Sequence, residues 1–135
     1  MATSQARDYQ TYTPSSNALK GYLGPGSTWP VCSMVTHMSG AWWRADLGAA
    51  KNVSEMRITG VQNGAYYMVG LEVRFGSSST YTGNPVFGTP TTQAVSVAGE
   101  AQVFKPASPM EGRYINVFQA DQQYLSICDI EILEA

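Results

Sequence analysis

The 135-residue chain reads as an all-β protein, about eight antiparallel strands in a single domain spanning 1–135. Three observations predict this. Thirteen glycines, seven prolines and abundant Ser and Thr punctuate the sequence at short intervals. The apolar residues between these breaks come in alternating or short runs, the period of strands. No amphipathic stretch is long enough for a helix, and no internal repeat is present. A chain of this length buries most of its apolar surface without a metal or several disulfides.

In chain order, the first strand expected is the short run Arg7–Tyr12. Ala41–Leu47 carries two adjacent tryptophans, and Val53–Thr59 follows it. Gly70–Phe75 lies between two turn-rich segments, and Gln93–Val97, Gln102–Phe104 and Arg113–Phe118 are short runs bounded by breakers. The last strand, Leu125–Leu133, is the clearest: Cys128, Ile130 and Ile132 share one face, and Asp129 and Glu131 take the other. The connections are long. Gly21–Gly40 is a twenty-residue loop with Trp29, Met34, His37 and Met38, and Val61–Val69 reads as a turn followed by Tyr66 and Tyr67. Gly76–Pro85 is rich in Ser, Thr and Gly around Tyr81, and Ala120–Tyr124 holds Asp121, Gln122 and Gln123. Loops this long are usually functional or disordered, and their aromatic and amide content favours function.

Trp42-Trp43-Arg44-Ala45-Asp46 is a costly local unit. Indoles bury large surfaces, and ions are tolerated near a core when they pair or find backbone partners. Trp42, Trp43, Arg44 and Asp46 are therefore expected to be structural. Cys32 and Cys128 are either two reduced core thiols or one disulfide. Asn52-Val53-Ser54 is a glycosylation sequon, meaningful in a secreted eukaryotic protein.

Composition excludes several functions. The net charge is −2, with basic residues scattered from Arg7 to Arg113, so no patch gathers phosphates and no nucleic-acid partner is expected. No run of about 18 apolar residues could span a membrane. The first residues lack the basic and apolar blocks of a leader, as in a protein made without one or a mature domain behind a new Met. One histidine cannot build a His-pair metal site, and no phosphate loop, nucleophile elbow or HExxH motif is present. Glu131 and Glu134 have odd spacing and cannot share a strand face. The chain is not expected to be an enzyme.

Exposed aromatics beside amides suit sugars, which offer an apolar C–H face to a ring and hydroxyls to directional hydrogen bonds. Trp29, His37, Gln62, Asn63, Tyr66 and Tyr67 supply that inventory, and they are the expected sugar-binding residues.

Trp42-Trp43-Arg44-Ala45-Asp46-Leu47-Gly48 resembles the F-type lectins, the fucose-binding branch of the discoidin-like (coagulation factor type C) sandwich superfamily. The likeness extends to Ser16-Asn17-Ala18-Leu19-Lys20-Gly21, to Val53–Thr59, to Gly112-Arg113-Tyr114-Ile115 and to Leu125–Glu131. It implies a discoidin-like β-sandwich jelly roll, a Cys32–Cys128 disulfide and sugar binding by loops at one end. It also implies an extracellular setting.

The ligand motif departs from the family's. That motif is a His, then well downstream an Arg-x-Asp pair and a further basic residue. Arg44-x-Asp46 with Lys51 mimics it falsely, because Asn17 stands in place of the His and Arg44 belongs to a core strand. The matching segment comes one loop later, where Val61, Asn63 and Met68 stand and both basic residues are missing. An altered sugar specificity is expected. The family's calcium site is also changed: Lys20 replaces an Asp while Asp129 remains, and an ammonium opposes calcium directly. No cofactor is expected, with Lys20 paired to Asp129 instead.

The expected function is recognition of a terminal sugar on cell-surface or microbial glycans. The alternative is a discoidin-like protein- or lipid-binding adhesion module, with Met34, Met38, Tyr67 and Met68 as apolar spikes. The absence of clustered Lys or Arg near these spikes weakens attraction to anionic lipid, so membrane insertion is not expected. A homo-oligomer is compatible with a single-site lectin, which gains avidity by association.

Overall fold

A computed structural model describes residues 1–5, 15–19, 32–38, 40–60, 70–80, 83–89, 101–119 and 123–135. Eight strands lie within them: β1 (Ala2–Gln5), β2 (Ser33–Met38), β3 (Ala41–Thr59), β4 (Leu71–Gly76), β5 (Gln102–Phe104), β6 (Met110–Gln119), β7 (Gln123–Ile127) and β8 (Asp129–Glu134). A 3-10 turn occupies Ser15–Leu19. The expected strands Arg7–Tyr12 and Gln93–Val97 fall outside the described residues.

β3 organises the sandwich. Its first half pairs with β1 on one side and β6 on the other, and β6 in turn pairs with β4, giving the order β1-β3-β6-β4. Its second half pairs with β8 and, at Met56–Ile58, with β5. All these pairings are antiparallel, as is that of β2 with β7 in a separate two-stranded sheet. The expected strands Ala41–Leu47 and Val53–Thr59 are thus two arms of one strand. They meet at 47–50, where the register with β6 shifts: Asp46 lies opposite Tyr114, but Lys51 lies opposite Gly112. Gly48 takes φ +85° there, a conformation that costs other residues, and its N–H donates to Asp46 Oδ1 at 2.8 Å.

The motifs at the two ends of this bend hold each other. Arg113 donates from Nε to Asp46 Oδ1 at 2.7 Å and from Nη2 to Oδ2 at 3.1 Å. This bidentate bond and the Gly48 N–H hold the Asp46 carboxyl below its ordinary range, with the Arg113 hydrogen bond as the largest cause. Gly112 is glycine for a different reason. A Cβ there would stand 2.7 Å from the backbone nitrogen of Gly76 in the neighbouring strand.

One cluster of buried side chains joins the layers. Trp43, Val73, Phe75, Ile115 and Val117 of the β1-β3-β6-β4 part meet Met56, Ile58, Phe104 and Ile130 of the second arm of β3 and its partners, and Leu125 and Ile127 of β7. Each large side chain so buried contributes about 1.5–3 kcal/mol. Phe75 and Phe87 pack edge to face with centroids 5.8 Å apart. Trp43, fully buried, donates its indole N–H to the Ser15 carbonyl at 3.0 Å, pinning the 3-10 turn against the sheet.

Four expectations need correction. The segment 21–40 is not loop throughout, because β2 occupies Ser33–Met38 and Met34 is only 3% exposed. Its mixed Ser-Met-Val-Thr-His-Met sequence lacks alternation because Ser33, Met34 and Val35 are all buried. Leu125–Leu133 is not one strand: it breaks at Cys128 into β7 and β8, which pair with β2 and β3 respectively. β7 begins at Gln123, so 120–124 is not all loop. Finally, the tryptophans do not share a role. Trp43 enters the core, while Trp42, Arg44 and Asp46 form the half-exposed outer face of β3. The ions do find partners, though not each other: Asp46 binds Arg113, and Arg44 Nη1 donates to the Ser79 carbonyl at 2.6 Å.

Candidate functional site

Two groups of strand ends form the base from which the long loops spring. Cys32 and Cys128 are joined by a disulfide across 96 residues of sequence, and both are fully buried. Around it, the Cys128 N–H donates to the Thr59 carbonyl at 2.7 Å, and Ser33 Oγ donates to the Ile127 carbonyl at 3.1 Å. Asn17 is 3% exposed and donates from Nδ2 to the Cys32 carbonyl at 3.1 Å. Asn17, which occupies the motif's His position in the false match, is thus a structural residue. The disulfide therefore fixes the end of segment 20–31, which leads to Cys32, beside the start of segment 61–69, which leaves just after Thr59.

The second group lies across the sheet. Ala41 and Leu71 both face Gln119, a fully buried residue at the end of β6. Met38, at the end of β2, pairs with Gln123 at the start of β7. The return of segment 61–69 to β4 and the connection 120–122 are therefore both anchored here. β2 links the two groups, since it starts beside the disulfide and ends at Met38.

The sequence-predicted residues are placed unequally. Trp29, Gln62, Asn63, Tyr66 and Tyr67 lie outside the described residues, as does Lys20. The backbone of His37 belongs to β2, at the register irregularity between Val35 and Met38. Of the four apolar spikes of the adhesion alternative, Met34 is buried and Tyr67 and Met68 lie outside the described residues.

Asp129 pairs in register with Thr59 at the disulfide end. Its carboxyl is pushed above the ordinary carboxylate range, first by burial and then by the like charge of Glu131. A carboxylate so placed calls for a cation. Among the described residues, no three His, Cys, Asp or Glu side chains gather as a metal cage.

Sequence reasoning also passed over the outer face of the first sheet. There Arg44 and Ser79 line two adjoining depressions, and Trp42 lines one of them. The signal was available in the two-residue period of Ala41–Asp46, which puts Trp42 and Arg44 opposite Trp43 and Ala45.

This β-sandwich, with a disulfide bracing the roots of two segments, has the discoidin-like fold. The chain belongs to the F5/8 type C domain family, whose profile matches residues 1–131. Among its relatives, Fucolectin-5 of Anguilla japonica is 29% identical over 118 residues, covering 85% of this chain and 61% of the relative. The chain thus spans about three-fifths of that relative's length. The F-lectin (fucolectin) from striped bass (Morone saxatilis) serum superposes with a TM-score of 0.85 at 22% identity, over 98% of this chain and 46% of that one. A His mutant of the lectin-binding domain of lectinolysin, complexed with Lewis b, superposes with a TM-score of 0.80 at 16% identity. That match covers 99% of this chain and 92% of the lectinolysin domain.

Proposed function

We propose that the chain is a non-enzymatic, extracellular lectin that binds a terminal sugar of cell-surface or microbial glycans. Its loops 20–31 and 61–69 make the site. One observation carries this reading: the roots of both loops meet at the Cys32–Cys128 disulfide, and the loops carry Trp29, Gln62, Asn63, Tyr66 and Tyr67. In this reading Tyr66 and Tyr67 stack on the C–H face of the sugar, and Gln62, Asn63 and His37 bond its hydroxyls. The fucolectin relatives and the Lewis b complex of the lectinolysin domain support a glycan ligand. Val61 and Met68 stand where the F-type motif has basic residues, so the specificity departs from ordinary fucose recognition. An oxidised cystine is in keeping with an extracellular setting. The domain is calcium-independent, with the Lys20 ammonium supplying the cation that Asp129 needs.

A glycan array run with calcium and with chelator tests all of this. Binding by the natural chain is expected in both conditions and is lost in Tyr66→Ala or Tyr67→Ala. A blank array from a folded protein, or binding only with calcium, would overturn the reading.

A further inference from the structure

The outer face of the β1-β3-β6-β4 sheet carries a second candidate site, distinct from segments 20–31 and 61–69. Two shallow depressions adjoin there. The first, about 240 Å³, is lined by Trp42, Arg44, Ser79 and Thr80. The second, about 280 Å³, is lined by Thr3, Ser4, Arg44, Asp46, Ser79 and Tyr114, among others. Arg44 and Ser79 belong to both, so the two form one groove with a guanidinium at its middle.

The charges of this face are unevenly satisfied. Arg74 binds Glu72 at 3.0 Å and the Asn84 carbonyl at 2.7 Å, and Arg113 takes both oxygens of Asp46. Arg57 pairs with Glu55 and Glu131. Arg44 is the one arginine among the described residues with no carboxylate within 4.0 Å. Its one described hydrogen bond, to the Ser79 carbonyl, orients the guanidinium and leaves donors over from its five N–H groups. Among the described residues the ion pairs around the groove cancel, and Arg44 adds one positive charge to it.

The wall opposite Arg44 is held ready. Asn84 accepts from the Ser78 N–H at 2.9 Å and donates to the Ser78 carbonyl at 2.8 Å and to Asn116 Oδ1 at 3.0 Å. This ties the segment bearing Ser79 and Thr80 to β6, so little ordering cost remains when a ligand arrives.

We infer that this groove binds a sugar residue bearing one acidic group. The anion sits on Arg44, a C–H face lies against the half-exposed Trp42 indole, and the hydroxyls of Ser4, Ser79 and Thr80 meet those of the sugar. A carboxylate and a sulfate ester share this chemistry, and both are tested. The depressions are small for ligand pockets, whose usual range starts at about 300 Å³, so the binding is weak and suits titration by NMR.

The test is a ¹⁵N-labelled chain titrated with methyl glucuronide, glucose 6-sulfate and the neutral methyl glucoside. At least one acidic probe is expected to move the amide signals of Trp42, Arg44, Ser79 and Tyr114, while the neutral sugar leaves them in place. The acid that moves them identifies which anionic group the site takes. Arg44→Gln should weaken that probe by about tenfold or more, with the core amides of Ile115 and Val117 unshifted as the check on folding. Tyr66→Ala should leave this titration unchanged, so the groove stands or falls apart from the loop site. The inference is overturned if neither acid moves those signals or if the neutral sugar moves them equally. It is equally overturned if Arg44→Gln binds as well as the natural chain, or if Tyr66→Ala abolishes the effect.

Discussion

Removing the disulfide separates two effects that coincide at the base of the loops. In the double substitution Cys32→Ala/Cys128→Ala, both side chains stay small and apolar in sites that are fully buried. The native packing is therefore nearly preserved, and the loss falls mainly on the unfolded chain. The bond closes a loop with its ends 96 residues apart, and in the chain-entropy model opening it costs about 4.7 kcal/mol. That is a large part of the roughly 5–15 kcal/mol that holds a typical domain together. Urea unfolding followed by circular dichroism measures the loss. The expected result is a lower midpoint together with a steeper dependence on urea, because the uncrosslinked chain exposes more surface when it unfolds. Glycan binding should also weaken under conditions where the double variant remains folded, since the roots of the two loops are no longer fixed to each other. A stability loss under about 1 kcal/mol, with unchanged glycan binding, would refute the reasoning.

Further outcomes follow from the core and the bend. Trp43→Phe removes the bond to the Ser15 carbonyl and part of a filled volume, and should cost about 1–3 kcal/mol by thermal denaturation. Gly48→Ala should cost about 1–2 kcal/mol, because its φ is +85° while a Cβ there meets nothing within 4 Å. Gly112→Ala drives a Cβ against the Gly76 backbone and should destabilise more than Gly48→Ala in the same urea series. Asp46 gives a pH signature. Its folded carboxyl titrates below the unfolded value of 3.8, so its contribution is present above that pH and is lost as the pH falls through the folded value. The stability gap between the natural chain and Asp46→Asn should therefore close as the pH drops below 3.8, and a constant gap would count against the ion pair.

The strands that the sequence revealed are those whose side chains alternate between core and solvent. Leu71–Gly76 and Met110–Gln119 carry Val73, Phe75, Ile115 and Val117 inward at two-residue spacing, and that pattern is visible without coordinates. β1 and β2 escaped because neither alternates in polarity. Ala2–Gln5 is polar and becomes a strand through its pairing with Trp43–Asp46, and Ser33–Val35 is buried in consecutive residues. The partner of Asp46 was hidden for another reason. Arg113 is 67 residues away, and only the pairing of β3 with β6 brings the two together. An inventory of aromatics and amides of the kind that suits sugars was legible as chemistry, in Tyr66, Tyr67, Gln62 and Asn63, which lie outside the described residues. Its assembly was not, because residue spacing says nothing about where the ends of a loop are anchored.

The placement of the two termini bears on how the domain can be presented. Ala2 lies opposite Asp46, and the Ala135 N–H donates to the Asn52 carbonyl at 2.9 Å, so both chain ends arrive at the bend of β3. Thr59 lies six residues beyond Val53, roughly 20 Å along an extended strand, at the disulfide end. A bead, a carrier or a second copy fused at either end would thus stand behind the module and leave the disulfide end, where the glycan site is proposed, unobstructed. Tandem display could then raise avidity without altering a single contact at the tip.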